Sequence, residues 1–78
     1  MAKTYNGHPS HALWNVALWF ANDEGLYNMA RGEIRRARTK DIAAQRIFEF
    51  FADCGIAATP DGVRYSLTNI RYALRGLD

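Results

Sequence analysis

Cysteine occurs once in this chain, at position 54, so no internal disulfide can form and no cysteine-based zinc site can close. A lone thiol in the apolar stretch after Phe51 reads as a small core residue. Histidine occurs twice, as His8 and His11, with Pro9 between them and no carboxylate or third histidine nearby, which argues against a metal site. No apolar run approaches the roughly 20 residues needed to cross a bilayer, and the opening MAKTYNGHPS lacks the apolar stretch of a secretory signal. The expected setting is therefore cytoplasmic and reducing, away from any membrane. A phosphate-binding glycine loop is missing, as is a nucleophile with a base at recognisable spacing. Asp23 and Glu24 are adjacent, and adjacent side chains on a helix diverge rather than converge on a substrate. The sequence reads as that of a non-enzymatic protein without a cofactor.

What is there is a chain of 78 residues, 49% hydrophobic and 13% aromatic, a composition that folds rather than stays disordered. This length allows one domain with a modest core, hiding roughly 60–65% of the unfolded surface, so dimerisation is a natural supplement. Residues 1–9 read as an irregular arm, with Asn6-Gly7 and Pro9 as breakers. Ser10 is placed to cap a helix over about 11–21. Asp23 caps a second over about 23–38, with Leu26, Met29, Ala30, Ile34 and Ala37 facing inward; Gly32 weakens it or marks a close approach. Thr39 or Asp41 starts a third over about 41–54. Ala44, Ile47, Phe48, Phe51 and Cys54 form its inner stripe, Gln45, Glu49 and Asp53 its wet side, and Gly55 its stop. Pro60-Asp61-Gly62 is turn chemistry, giving a short β-hairpin or an irregular loop around 56–65. Ser66 or Thr68 caps a last helix over about 67–75, with Leu67, Ile70 and Leu74 inward and Gly76 at its end. The predicted fold is mainly α, a small single-domain bundle of three to four helices with a hairpin or loop.

Charge is unevenly spread along this frame. The net charge is +2, yet residues 31–46 alone carry +4 while residues 47–62 carry −3, and eight of the ten basic residues are arginine. Arginine suits bidentate recognition of carboxylate and phosphate. Helical spacing places Arg31, Arg35 and Arg38 on one face, flanked by Arg36 and Lys40, and Arg46 extends the patch. Arg64 falls in the turn region, and Arg71 and Arg75 share a face of the last helix. These nine residues are the candidate partner-binding set, suited to phosphates or an acidic protein surface. Helices followed by a hairpin also follow the order of a winged helix-turn-helix, with Arg64 on the wing. The third helix, however, offers only Gln45, Arg46 and Glu49 where a DNA reader displays base-contacting side chains.

Residues 5–30 carry a denser signal. Tyr5-Asn6-Gly7, then Trp14-Asn15-Val16-Ala17-Leu18-Trp19, then Asn22-Asp23-Glu24-Gly25-Leu26-Tyr27 resemble a family of small uncharacterised proteins from phages, plasmids and prophage regions. The stretch PSHAL departs from the family's more common polar-aromatic spacer, and the arginines beyond residue 30 inherit nothing from the match. The resemblance implies an origin on a mobile genetic element rather than an activity. Small phage proteins without cofactors often act by binding a host machine, anti-CRISPR inhibitors and small regulators among them. The expected function is stoichiometric binding of a host protein or nucleoprotein target, plausible as an anti-defence inhibitor of the anti-CRISPR kind. The alternative is a DNA- or RNA-binding regulator, and a homodimer is compatible with either.

The first helix itself is apolar almost all round, with Trp14 and Leu18 on one face and Val16, Trp19 and Phe20 on neighbouring ones. This predicts a central helix whose tryptophans are structural. Asn15 is the exception, and its amide is expected to hydrogen-bond to backbone, tying down the Tyr5-Asn6-Gly7 arm.

Overall fold

A computed structural model describes residues 10–77. Four helices follow in order: α1 (His11–Asn22), α2 (Glu24–Arg36), α3 (Lys40–Asp53) and α4 (Leu67–Arg75). The fold is a mainly α bundle, and no strand is present among the described residues. The expected 1–9 arm lies outside them.

Each helix begins where a short polar side chain can occupy an otherwise orphaned backbone donor. The Ser10 hydroxyl accepts from the Leu13 N–H, the Asp23 carboxylate from Leu26, the Thr39 hydroxyl from Ile42 and the Ser66 hydroxyl from Asn69. Asn69 returns a bond by accepting from the Ser66 N–H, which completes a reciprocal cap. The capping residue Thr39 is extended, and so is Ala37 (ψ 151°), so α2 ends at Arg36 and not near 38. The bend at 37–39 is what reverses the chain. At the far end of α3, Gly55 takes φ +73°, the left-handed conformation that closes a helix.

The helices pack in cyclic order, α1 on α2 and α4, and α3 on α2 and α4. Phe20, Phe51, Ile47, Ile70, Leu74 and Val16 fill the centre. Ala30, Ala43, Ala44 and Ala73, all buried, let the backbones approach. Phe20, Phe51 and Tyr65 form an aromatic triad, with ring centroids 4.5 Å apart for Phe51–Tyr65 and 6.3 Å for each ring to Phe20. Such tilted pairs add about 0.5–1.5 kcal/mol each beyond area burial.

Two inner stripes sit differently from expectation. On α3 the buried residues are Ala43, Ala44, Ile47 and Phe51, whereas Phe48 and Cys54 are exposed. The two flanking helices cover the Ala43 side. Phe48 faces the edge next to the 56–65 loop, and Cys54 lies past the last helical turn. On α4, Leu67 is exposed because it is the first residue of the helix, at the rim of the bundle.

The 56–65 segment is a tight loop with hairpin-like closure. Pro60 and Asp61 sit at the centre of a turn closed by the Gly62 N–H donating to the Thr59 carbonyl, with Gly62 at φ +91°. Thr59 and Tyr65 donate backbone bonds to Val63 and Ala57, and a single antiparallel bridge joins Ala58 and Arg64. The pairing is too short to count as two strands.

Among the described residues, Asn15 takes side chains of this turn as its partners; the arm it was expected to tie down lies outside them. Its amide nitrogen donates to the Asp61 carboxylate at 2.8 Å, and its amide oxygen accepts from the Thr59 hydroxyl at 2.7 Å. The Trp19 indole N–H donates to the same Asp61 oxygen at 2.9 Å. The polar break in the apolar α1 is thus a clasp that fastens the loop to the bundle. Among the described residues no buried side-chain nitrogen or oxygen lacks a hydrogen-bond partner.

Candidate functional site

The nine basic residues do not form one patch. Arg31 is half-buried, and its Nη1 donates to the Tyr27 hydroxyl at 2.9 Å and to the Leu77 carbonyl at 3.3 Å. Its guanidinium carbon lies 5.7 Å from the Tyr27 ring centroid. Arg31 therefore ties the chain after α4 back to α2. Arg46 and Arg36 converge on Glu33, at 2.6 Å and 3.4 Å. This bond and the Glu33 charge hold the Arg46 guanidinium above its ordinary range. Arg71 reaches Asp41 at 3.6 Å, an exposed pair of small energetic weight.

The remaining arginines are dispersed. Arg35, Arg38, Arg64 and Arg75 are exposed, and none of them has an ion-pair partner among the described residues. Because α2 ends at Arg36, Arg38 does not share the helical face of Arg31 and Arg35; it lies on the bend. Arg35, Arg36 and Arg38 gather at the α2–α3 corner, with Lys40 starting α3 beside them. Arg64 sits beside the bridge of the 56–65 loop, and Arg75 ends α4.

The more developed concavity lies elsewhere. Between α1 and α4 runs an open groove of about 430 Å³, lined by Trp14, Ala17, Leu18, Ala21, Tyr72 and Leu77, with Arg75 as its charged lining residue. Leu18, a large aliphatic side chain, is 37% exposed there. The volume lies within the roughly 300–1,000 Å³ usual for binding clefts. Trp, Tyr and Arg are the residues that most often carry interface energy, because they combine contact area with a polar handle. The sequence reading missed this groove by treating α1 as covered on every side. The available signal was the number of elements: in a four-helix ring α1 has two close helical neighbours, too few to cover an all-round apolar helix among the described residues.

Two further titration shifts among the described residues fall on groups that hold the scaffold. The Asp61 carboxyl is held below its usual range, first by the bond from Asn15, then by the Trp19 indole, with the charge of His11 adding to them. Burial, with the charge of Asp23, raises the Tyr65 hydroxyl above its usual range. Among the described residues no group of three or more His, Cys, Asp or Glu side chains is placed to hold a metal ion. His8 lies outside the described residues, and His11 is exposed. No described helix is long and apolar enough to cross a membrane.

No curated protein and no solved structure matches this chain. A family model described as a family of unknown function, DUF7249, matches residues 1–74, and the chain belongs to that family.

Proposed function

We propose that this member of the DUF7249 family is a small stoichiometric binding protein whose α1/α4 groove docks an apolar protein segment bearing a carboxylate. The observation that carries the reading is the convergence of Trp14, Leu18, Tyr72 and Leu77 on one open groove with Arg75 in its lining. Apolar area supplies affinity, and an arginine at the rim selects an acidic partner and fixes its register. The resemblance of residues 5–30 to small proteins of phages and plasmids supports a host protein as the proposed target. A bacterial defence complex is the leading candidate class, so the role would be anti-defence inhibition of the anti-CRISPR kind. The test is affinity capture from bacterial lysate with wild type, Leu18→Glu and Arg75→Glu, each with and without nuclease. The expected result is a stoichiometric protein partner that survives nuclease and is lost with both variants. Retention of that partner by both variants would refute the groove as its site.

A second reading has one observation in its favour, the gathering of Arg35, Arg36 and Arg38 at the α2–α3 corner. That corner would hold nucleic-acid phosphates, with affinity falling steeply as salt rises. The exposed side of α3, where a recognition helix would read bases, carries Glu49 and Asp53, which repel phosphate. Absence of any shift of duplex or single strand at low salt would end this reading.

A further inference from the structure

Four of the six large apolar side chains exposed among the described residues lie on or beside α3. Ile42 (43%) stands in its first turn, and Phe48 (39%), Phe50 (51%) and Ile56 (41%) gather at its C-terminal end. Phe48 and Ile56 edge a groove of about 250 Å³ whose floor includes Ala52, Gly55 and Tyr65, and Arg64 closes its rim. On the other flank, Phe50 edges a second groove of about 290 Å³ with Glu49 and Asp53. The α3 helix therefore stands as a ridge between two furrows, with Arg64 on one side and, on the other, Glu49 and Asp53 beside the Arg46–Glu33 ion pair, whose charges offset each other.

That distribution of charge selects the occupant. An interface between two copies related by a two-fold axis must be complementary to itself, because every contact from i to j is repeated from j to i. The α1/α4 groove fails this condition, since its lining carries Arg75 and no carboxylate to receive it from a second copy. The α3 face meets it, since Arg64 of each copy has Glu49 and Asp53 of the other as acceptors. The small residues Ala52 and Gly55 allow the backbones to come close, as ridge-into-groove packing requires.

We propose that the outer face of α3, with the adjoining 56–64 loop, is a homodimer interface. The α3 ridge of each copy beds into the Phe48–Ile56 furrow of the other, and Arg64 pairs twice with the Glu49–Asp53 carboxylates across the two-fold axis. A chain of 78 residues has a small core to rely on, and self-association covers apolar surface that the fold leaves wet. The inference is independent of the groove reading, because it uses a different face.

Sedimentation equilibrium of the whole chain tests it, with circular dichroism confirming that each variant keeps its helices. Wild type is expected to dimerise with a micromolar constant that weakens with salt. Phe48→Glu should weaken dimerisation by about tenfold or more, the usual threshold for an interface aromatic. Arg64→Glu and the Glu49→Arg/Asp53→Arg double variant should each be monomeric alone. Mixed one to one they should form a heterodimer, because both repeated contacts are then restored with reversed sign. Leu18→Glu in the α1/α4 groove should dimerise as wild type does, which separates this proposal from the previous one. A monomeric wild type at millimolar concentration, or a charge-swapped mixture that stays monomeric, would overturn the proposal.

Discussion

Replacing Asn15 with alanine is the most direct probe of how α1 holds the 56–65 loop. The side chain is 1% exposed and makes two short bonds, one from the Thr59 hydroxyl and one to the Asp61 carboxylate. Truncation removes both. Asp61 lies at the surface and can turn to water, so the loss on that side is largely recovered. Thr59 is 4% exposed and has no such recourse. Its hydroxyl still accepts from the Val63 N–H at 3.2 Å, but its own proton is left without an acceptor. An unsatisfied buried donor costs about 1–3 kcal/mol, and the void left by the amide adds about 1 kcal/mol. The expected destabilisation is therefore about 2–4 kcal/mol, a fall in Tm of roughly 10–20 °C for a domain of this size. Thermal and urea unfolding followed at 222 nm would measure it, with Trp19 fluorescence reporting the loop contact. Thr59→Val in the Asn15→Ala background should add little, because the two residues act as one unit. A loss below about 1 kcal/mol for Asn15→Ala, or full additivity with Thr59→Val, would refute the clasp as a source of stability.

Three further outcomes follow from the same structure. The folded-state carboxyl of Asp61 titrates below its ordinary range, so it contributes stability above the unfolded pKa of about 4 that is lost as pH falls through the folded value. The Tm gap between wild type and Asp61→Asn should accordingly be open at neutral pH and close in acid; a gap that does not vary with pH would contradict this. The glycines divide by conformation: Gly55→Ala and Gly62→Ala should each cost about 1–2 kcal/mol because of positive φ. In contrast, Gly32→Ala within α2 has open space for a methyl group and should stabilise by about 0.5–1 kcal/mol in urea melts. Arg31→Met should cost about 1–2 kcal/mol by loosening Leu77 from α2, seen as faster amide exchange after residue 74 than in wild type.

Local chemistry was sufficient to locate the helices from sequence. Ser10, Asp23, Thr39 and Ser66 each sit just before an apolar period and cap the helix they precede, and Gly55 ends α3 as its backbone freedom allows. These features are legible because a cap and the backbone N–H that donates to it lie three residues apart. The end of α2 was not legible to the same degree, because Ala37 and Arg38 are acceptable helix formers and the Thr39 cap of the next helix decided the boundary.

Which face of each helix meets the core is a different kind of fact. Phe48 and Phe51 are equally apolar, and only the positions of α2 and α4 put Phe51 inside and Phe48 out. The arginines show the same division. Their number and clustering along the chain are sequence properties, yet Glu33 draws in Arg36 and Arg46, Tyr27 and Leu77 hold Arg31, and the corner keeps Arg35 and Arg38 in solvent. The sequence by itself determined a four-helix chain with an apolar first helix and a proline-glycine turn. Only the tertiary structure decided that this turn reaches back across 46 positions to Asn15, and that among the described residues α1 lines a groove with Tyr72 and Arg75. The reason is physical: caps and turns act over three or four residues, whereas burial and charge pairing depend on which distant elements close the ring.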